Sequence, residues 1–356
     1  MKLVLCLALS TFAIHASTSY SITDLGGYGI VGSVGFGINE SGQITGYTGA
    51  PDTPLAHAFY WNGTSMTDIG TLGGILSQGF AINESGQIAG TSEVFGGGPS
   101  AFFWDGTTMT DLGLFSQFGS QASGINDAGH ITGKAVNSAF IWNGTSASPL
   151  GTLGGSSSFG RAINNSDNVT GYSYIAGNTA EHAFWWNGTT MIDIGAGAVG
   201  SDGLAINDSG LITGYVRSDN GTNSYRAFLW NGSTRIDLGT LAGEGTQGNG
   251  INNAGDITGQ SIGATSHAFI WTNGIMSDLN DLLVNGAGWV LNAGNAINDA
   301  GQITGEGTLN GQRRAFLLTP TTSAETPEPA TALLFGASLL ALLAHRRKTQ
   351  HTEPIA

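Results

Sequence analysis

The sequence predicts an all-β fold, a seven-bladed β-propeller of four-stranded blades closed by an N-terminal strand. Three observations lead to this prediction. A unit of 38 to 46 residues recurs seven times, each full unit carries signals for four short strands, and the last unit lacks its fourth strand. The 58 glycines among 356 residues, with only 10% charged residues, suit many tight turns between apolar strands.

The first two strands of each unit meet at the motif Asn-x-x-Gly. It predicts a type I turn whose glycine adopts the left-handed conformation. The motif begins at Asn39, Asn83, Asn126, Asn164, Asn207, Asn252 and Asn298. In the fourth unit Asp167 stands where glycine is expected, and aspartate tolerates that conformation at some cost.

The third strand carries the motif His57-Ala58-Phe59-Tyr60-Trp61, and an Asn-Gly or Asp-Gly pair follows it. Such a pair predicts a tight hairpin with positive φ at both turn residues. The phenylalanine stands in all seven units, at Phe59, Phe102, Phe140, Phe184, Phe228, Phe269 and Phe316. The fourth strand is Met66–Gly70, and Asp68 returns at Asp111, Asp193, Asp237 and Asp278.

Each first strand contains two small residues, Gly35 and Gly37 in the first unit, and they favour closure into a ring. Alternation along a strand predicts that both face the crowded central axis. The segment Ile22–Gly26 matches the fourth strand that the seventh unit lacks, so it is predicted to complete the last blade. The alternative fold is an open β-solenoid, which would need atypical caps at its ends.

The residue chemistry argues against several functions. The net charge of −14 and the scattered basic residues exclude a nucleic-acid footprint. The single cysteine, Cys6, lies in the predicted signal, so no cysteine-based metal site is expected. His57, His182 and His267 belong to non-adjacent units and suit strand-edge hydrogen bonds, while the repeated aspartates suit turn donors. We therefore predict no catalytic, cofactor or metal residues, and not an enzyme.

Both ends of the chain are predicted to be sorting signals, and they flank a propeller of residues 17–320. Residues 1–16 form a signal peptide, with cleavage after Ala16. Residues 321–329 form a linker, residues 330–344 a short transmembrane helix, and residues 345–356 a basic cytoplasmic tail. Fifteen helical residues span roughly 22 Å, short of the ~30 Å hydrocarbon core, although snorkelling basic residues extend the reach.

The C-terminal segment resembles the PEP-CTERM sorting signal of Gram-negative bacteria. The resemblance rests on Pro327-Glu328-Pro329, the apolar run after it, and Arg346-Arg347-Lys348. It implies processing near Pro327–Pro329 by an exosortase-type membrane enzyme. One departure is the tail beyond Lys348, since such signals usually end soon after the basic residues.

The repeats themselves resemble the HAF family of extracellular repeats over residues 21–320. The triplet His-Ala-Phe stands at residues 57–59, 182–184 and 267–269. Together the two resemblances imply an exported protein at the periplasmic face of the membrane and then the cell surface. Its partners would be exopolysaccharide or another surface protein, and its role that of a surface or matrix protein linked to biofilm.

Two other functions remain open from the sequence. One is an extracellular polysaccharide hydrolase or lyase, which needs carboxylates facing each other at the propeller mouth. The other is a small-ligand sensor, which needs a tight apolar pocket.

Overall fold

The structure is a computed structural model that describes residues 18–28, 32–49, 55–114, 119–217, 224–241 and 245–321. Within these residues, 28 strands form seven four-stranded sheets, which confirms the predicted seven-bladed propeller. Residues 20–320 form one compact unit. None of the helices within the described residues could span a membrane. The predicted signal 1–16 and sorting segment 330–344 lie outside the described residues.

The first six blades each consist of four strands that follow one another in the chain. Blades 1 to 3 contain β2 (Ser33–Ile38), β3 (Ile44–Gly49), β4 (Ala56–Trp61), β5 (Met66–Asp68), β6 (Gly73–Ile82), β7 (Ile88–Val94), β8 (Pro99–Trp104), β9 (Met109–Asp111), β10 (Ser120–Ile125), β11 (Ile131–Ala135), β12 (Ser138–Trp142) and β13 (Ala147–Gly151). Blades 4 to 6 contain β14 (Gly154–Ile163), β15 (Val169–Ile175), β16 (Glu181–Trp186), β17 (Met191–Asp193), β18 (Ser201–Ile206), β19 (Ile212–Arg217), β20 (Tyr225–Trp230), β21 (Arg235–Asp237), β22 (Gly245–Ile251), β23 (Ile257–Ile262), β24 (His267–Thr272) and β25 (Ile275–Asp278). Short 3₁₀ helices occur at Ala176–Asn178 and Leu279–Leu282.

Blade 7 joins the two ends of the propeller. It contains β26 (Trp289–Ile297), β27 (Ile303–Leu309), β28 (Gln312–Thr321) and the N-terminal strand β1 (Ser19–Asp24). Strand β1 pairs with β28, and next to this pair Leu25 N donates to Ala315 O at 3.2 Å. On the outer edge of β1, Val284 N donates to Tyr20 O at 3.0 Å. The tyrosine is 2% exposed. The prediction that the N-terminal strand completes the last blade is confirmed.

The two ends of the ring differ in the connections that they carry. Because each blade is an antiparallel meander, alternate connections lie at opposite ends. We call the end with the first-to-second and third-to-fourth strand connections the turn face. We call the end with the second-to-third and blade-to-blade connections the loop face.

A β-bulge in the first strand of each blade overturns one prediction. In blade 1 the register shifts between Gly35 and Gly37, so Phe36 has no partner of its own. Gly35 consequently packs against Thr304 of blade 7, while Gly37 packs against the backbone of Ala81 in blade 2. The prediction that both glycines face the axis is wrong, because the extra residue breaks the alternation of side chains. The same shift occurs in all seven sheets.

The first of these small residues determines how neighbouring blades approach. Gly79 of blade 2 leaves no room for a Cβ against Thr45 Oγ1 of blade 1, and that hydroxyl donates to Phe59 O at 2.8 Å. Blade 2 has Ala89 at the threonine position, and blade 3 has Ala122 at the glycine position. The two alanines belong to one buried cluster. At the interface between blades 2 and 3, Ala89 is smaller than the usual threonine and Ala122 is larger than the usual glycine. The two replacements compensate each other in volume.

The hairpins after the third strand differ from the predicted type in most blades. In blade 1 the turn covers residues 62–65, and only Gly63 has positive φ, at 98°. Asn62 instead accepts a hydrogen bond from Ser65 N at 2.9 Å through its side chain. The predicted turn with two positive φ values occurs in blade 6, at Asn273 (51°) and Gly274 (85°).

Candidate functional site

A closed ring of amide side chains surrounds the axis at the turn face. Each repeated asparagine donates from Nδ2 to the backbone oxygen of its equivalent in the next blade, at 2.9–3.3 Å. The last bond runs from Asn298 to Asn39 O and closes the circle. All seven side chains are buried, at 2–5% exposure. We call this set the axial amide ring, and it joins every blade to the next through side-chain hydrogen bonds.

A second ring lies directly outside it, formed by the residue after each asparagine. Its members are Glu40, Glu84, Asp127, Asn165, Asp208, Asn253 and Asp299. Each backbone N–H donates to the side-chain oxygen of the next member at 2.7–3.0 Å. We call this set the rim ring. The sequence signal for it was a column restricted to Glu, Asp and Asn, which the sequence analysis missed.

The rim ring surrounds a polar cavity of about 200 Å³ on the axis. Five of its seven members are carboxylates, so the turn-face mouth is acidic. Burial raises the pKa of Glu40, and the charges of Asp299 and Glu84 raise it further. Glu40 therefore holds a proton to a higher pH than an ordinary glutamate does.

The loop-face mouth of the axis has a different chemistry. A cavity of about 290 Å³ is lined by Phe36, Phe80, Gln121, Ser123, Arg161, Leu204, Asn249 and Asn295. Seven of these residues are the bulge residues that lie between the two small residues of each first strand. This axial column does not repeat, and its aromatic, amide and guanidinium groups can contact both apolar and polar parts of a ligand.

Arg161 in the axial column is held by a buried acid. Its Nε donates to Asp202 Oδ2 at 3.0 Å, and its Nη2 lies 2.9 Å from the same oxygen in an ion pair. The guanidinium carbon lies 4.4 Å from the ring centroid of Phe159 and 5.4 Å from that of Tyr172. The Asp202 side chain is 3% exposed, and burial raises its pKa to about 6 although Arg161 acts in the opposite direction.

The histidines and aspartates singled out in the sequence meet within individual blades. His57 Nδ1 lies 2.9 Å from Asp68, and the same pairing joins His182 with Asp193 at 2.8 Å. Asp68 Oδ1 also accepts from Gly70 N at 2.8 Å, as predicted for a turn. These residues brace the third and fourth strands of a blade. Within the described part of the chain, no group of three His, Cys, Asp or Glu is placed to hold a metal ion.

Blade 3 departs from this bracing. Ser138 and Pro149 occupy the histidine and aspartate positions, and an apolar cavity of about 430 Å³ opens beside them. Val136 lines the cavity with φ at 55°, a left-handed conformation that a β-branched residue rarely adopts. The sensor alternative required a pocket of this apolar kind.

The predicted processing residues are not placed by the structure. Ala16, Pro327, Glu328, Pro329, Arg346, Arg347 and Lys348 all lie outside the described residues. The axial column was not predicted from the sequence either. Its signal was a position that varied freely between two positions restricted to Gly and Ala.

No protein-family model matches the chain, and no curated protein matches its sequence. Solved structures match the fold at 9–11% identity. The β-propeller domain of the Trilobed protease from Pyrococcus furiosus has a TM-score of 0.48, 10% identity, and covers 68% of this chain and 82% of that one. A prolyl endopeptidase has a TM-score of 0.50 at 9% identity, and the match covers 85% of this chain but 51% of the endopeptidase. An ulvan lyase of polysaccharide lyase family PL25 has a TM-score of 0.43 at 11% identity, over 86% of this chain and 97% of that one.

The prediction that the chain is not an enzyme is contradicted. A propeller of this fold occurs in a prolyl endopeptidase, so the fold does not exclude catalysis. The prediction failed because it rested on the repeated residues, which build the ring. Residues that do not repeat, such as those of the axial column, had not been considered for chemistry.

Proposed function

We propose that the protein is an exported surface or matrix protein whose loop face binds an extracellular polymer of the exopolysaccharide class. The observation that carries the proposal is the axial column at the loop-face mouth. Phe36 and Phe80 lie with ring centroids 5.5 Å apart, and they supply apolar faces for sugar rings. Gln121, Asn249 and Asn295 supply amide groups for sugar hydroxyls.

The export part of the proposal rests on the resemblance to PEP-CTERM proteins. Cleavage after Ala16 would leave β1 whole, since that strand begins at Ser19. The proposed linker 321–329 starts where β28 ends, at Thr321. An exosortase-type enzyme would then process the chain near Pro327–Pro329, at the periplasmic face of the membrane.

Cell fractionation with mass spectrometry of the mature protein tests the export. We expect a chain that starts after Ala16 and lacks residues 330–344. Finding residues 330–344 intact in the surface protein would contradict processing by an exosortase-type enzyme.

Binding of the purified mature protein to the producing organism's exopolysaccharide tests the loop face. Replacing Phe36 and Phe80 with alanine should weaken binding about tenfold or more, because two stacking faces are lost. The matched control is Asn231→Ala in an exposed turn of the turn face, which should bind as the unchanged protein does. Equal loss in both variants would contradict the assignment of the loop face.

The acidic turn-face mouth supports a second candidate function, an extracellular polysaccharide hydrolase or lyase. The observation is Glu40, whose raised pKa suits a proton donor in a ring that also contains the carboxylates of Glu84 and Asp299. A hydrolase would release reducing ends from the polymer, and a lyase would create an unsaturated sugar with ultraviolet absorbance. Glu40→Gln should abolish either product, and polymer of unchanged length after prolonged incubation would reject this candidate.

A further inference from the structure

Arg161 is the one charged side chain among the described residues that line the loop-face cavity. The equivalent positions in the other blades carry Phe36, Phe80, Ser123, Leu204, Asn249 and Asn295. The repeat therefore closes its ring without a charge at this position, and the arginine has to be explained by something other than ring assembly.

The guanidinium of Arg161 is oriented before any ligand arrives. Asp202 Oδ2 accepts a hydrogen bond from Nε and lies 2.9 Å from Nη2, and the ring of Phe159 lies beneath the guanidinium at 4.4 Å. A guanidinium has five N–H donors in a planar fork, so both donors of Nη1 and the outer donor of Nη2 remain. The Arg161 side chain is 33% exposed, which gives these donors access to the cavity.

The acid lies behind the arginine rather than beside the cavity. Asp202 is 2% exposed, and within the described part of the chain its Oδ1 has no hydrogen-bond partner. The pair consequently presents its positive end to the axis. A buried ion pair is seldom more stable than apolar residues of similar volume, and the equivalent positions elsewhere hold uncharged residues such as Val34 and Gln247. Folding alone does not require this pair.

A second polar group in the cavity is also without a partner. Ser123 Oγ is buried and makes no hydrogen bond within the described residues, although Ser123 lines the same cavity as Arg161. Buried hydroxyls are nearly always hydrogen-bonded in folded proteins. An unsatisfied hydroxyl and a guanidinium with free donors line the same cavity as Phe36 and Phe80, so a polar ligand there can supply the missing partners.

We propose that Arg161 binds the anionic group of a sugar, a carboxylate or a sulfate, so that the polymer taken by the loop face is an anionic polysaccharide. Arginine binds such groups through two parallel N–H donors. The cavity of about 290 Å³ lies at the lower end of the ~300–1,000 Å³ range of ligand pockets. It accommodates a terminal sugar rather than a long stretch of chain. This inference rests on the proposed binding function and names its ligand class.

Calorimetric titration of the mature protein with three oligosaccharides tests the inference. The probes are oligogalacturonate, which carries carboxylates, sulfated carrageenan oligomers, and neutral dextran oligomers. We expect at least one anionic probe to bind about tenfold or more tightly than dextran, since hydrogen bonds to a charged group are stronger than those to a neutral hydroxyl. Which anionic probe binds identifies the carboxylate or the sulfate as the group recognised.

The variant Arg161→Gln alone leaves Asp202 buried without a partner and risks unfolding. The double variant Arg161→Gln with Asp202→Asn replaces the ion pair with two amides and avoids this. It should lose the preference for the anionic probe while keeping its affinity for dextran and its melting temperature. The matched control Arg235→Gln removes a positive charge from β21, away from the cavity, and should keep the preference.

Three results would overturn the inference, and they are distinguishable from one another. If the double variant keeps the anionic preference, Arg161 is not the anion site. If the unchanged protein binds dextran as tightly as the anionic probes, the loop face binds polymer without reading charge, and the proposed function survives. If no probe and no native exopolysaccharide binds, the proposed function fails as well.

Discussion

The turn face and the loop face are built by the same seven blades. The first-to-second strand connections of the turn face have the same length in every blade, whereas the second-to-third strand connections of the loop face do not. On the turn face, every connection between first and second strands has five residues, for example residues 39–43 and 207–211. On the loop face, the connection between second and third strands varies from two residues in blade 3 (136–137) to seven in blade 5 (218–224). Hydrogen bonds that pass from blade to blade on the turn face require one geometry, whereas the loop-face connections are free to diverge.

This difference separates assembly from recognition. The axial amide ring and the rim ring repeat the same kind of hydrogen bond in each blade, so a change at one point breaks a circular network. The axial column at the loop face changes from blade to blade and brings Arg161 to a single place. The repeating face therefore determines stability, and the divergent face supplies the candidate binding site.

Breaking the axial amide ring should have the largest effect on stability. Asn207→Ala removes the donor to Asn252 O (2.9 Å) and the acceptor for Leu211 N (2.9 Å). Leu211 N loses its partner, and Asn252 O keeps only its hydrogen bond from Gly255 N at 3.1 Å, so we expect a loss of about 2–4 kcal/mol in the free energy of unfolding. Asp208→Ala, on the exposed rim ring beside it, should cost less than about 1 kcal/mol. Urea unfolding measures both, and equal costs would show that the ring is not the main connection.

The loop face should respond to pH through Asp202. Its pKa is raised from 3.8 to about 6, so the folded state holds this proton more tightly than the unfolded chain does. The resulting stability is fully present below pH 3.8 and is lost as the pH rises through about 6. Relative to Asp202→Asn, the unchanged protein should lose about 2 kcal/mol between pH 4 and pH 8.

The groups that face Asp202 include Arg161, Glu181, Tyr172 and Tyr215, and they come from several strands. Burial and the charge of Asp202 raise the pKa of Tyr215 to about 12, so this tyrosine stays neutral across the range. Unfolding curves that keep the same separation between the two proteins at pH 4 and pH 8 would contradict the expected titration of Asp202.

The small residues that pack between neighbouring blades should be exchangeable from one interface to another. Ala89→Thr restores the threonine found in blade 1, but its added atoms meet Ala122, so we expect a loss of about 1–3 kcal/mol from overpacking. Adding Ala122→Gly restores the arrangement of Gly79 and Thr45 and should recover most of that loss. A double-mutant cycle measures the coupling, and additive effects would show that the two alanines do not compensate each other.

The smallest expected effect is at the blade 3 connection of the loop face. Val136 has φ at 55° and is 37% exposed. Val136→Gly relieves the backbone strain while the unfolded chain gains freedom, so we expect a net gain of about 0.5–1 kcal/mol. Thermal unfolding measures it, and a clear loss of stability would mean that the apolar cavity depends on the valine side chain.

Residues that act within one hairpin were predictable from the sequence. Gly42 has φ at 72° and Asp167 at 61°, as the Asn-x-x-Gly pattern indicated. Asp167 also makes a contact that its own hairpin sequence does not predict. Its carboxylate accepts from Asn126 Nδ2 at 2.8 Å in the preceding blade, where His130 stands in place of the glutamine that serves Asn39 in blade 1. That compensation crosses between blades, so no single repeat contains it.

The sequence by itself determined the number of blades, their four strands and the completion of blade 7 by β1, because turn chemistry and the period of the repeat are local properties. Only the tertiary structure decided where side chains meet across blades. The bulge at Phe36 placed Gly35 and Gly37 on opposite sides, and the closing of the ring brought Arg161 and Asp202 together from two blades. Contacts between residues about 40 positions apart depend on how whole sheets pack, and a pattern along the chain does not record that packing.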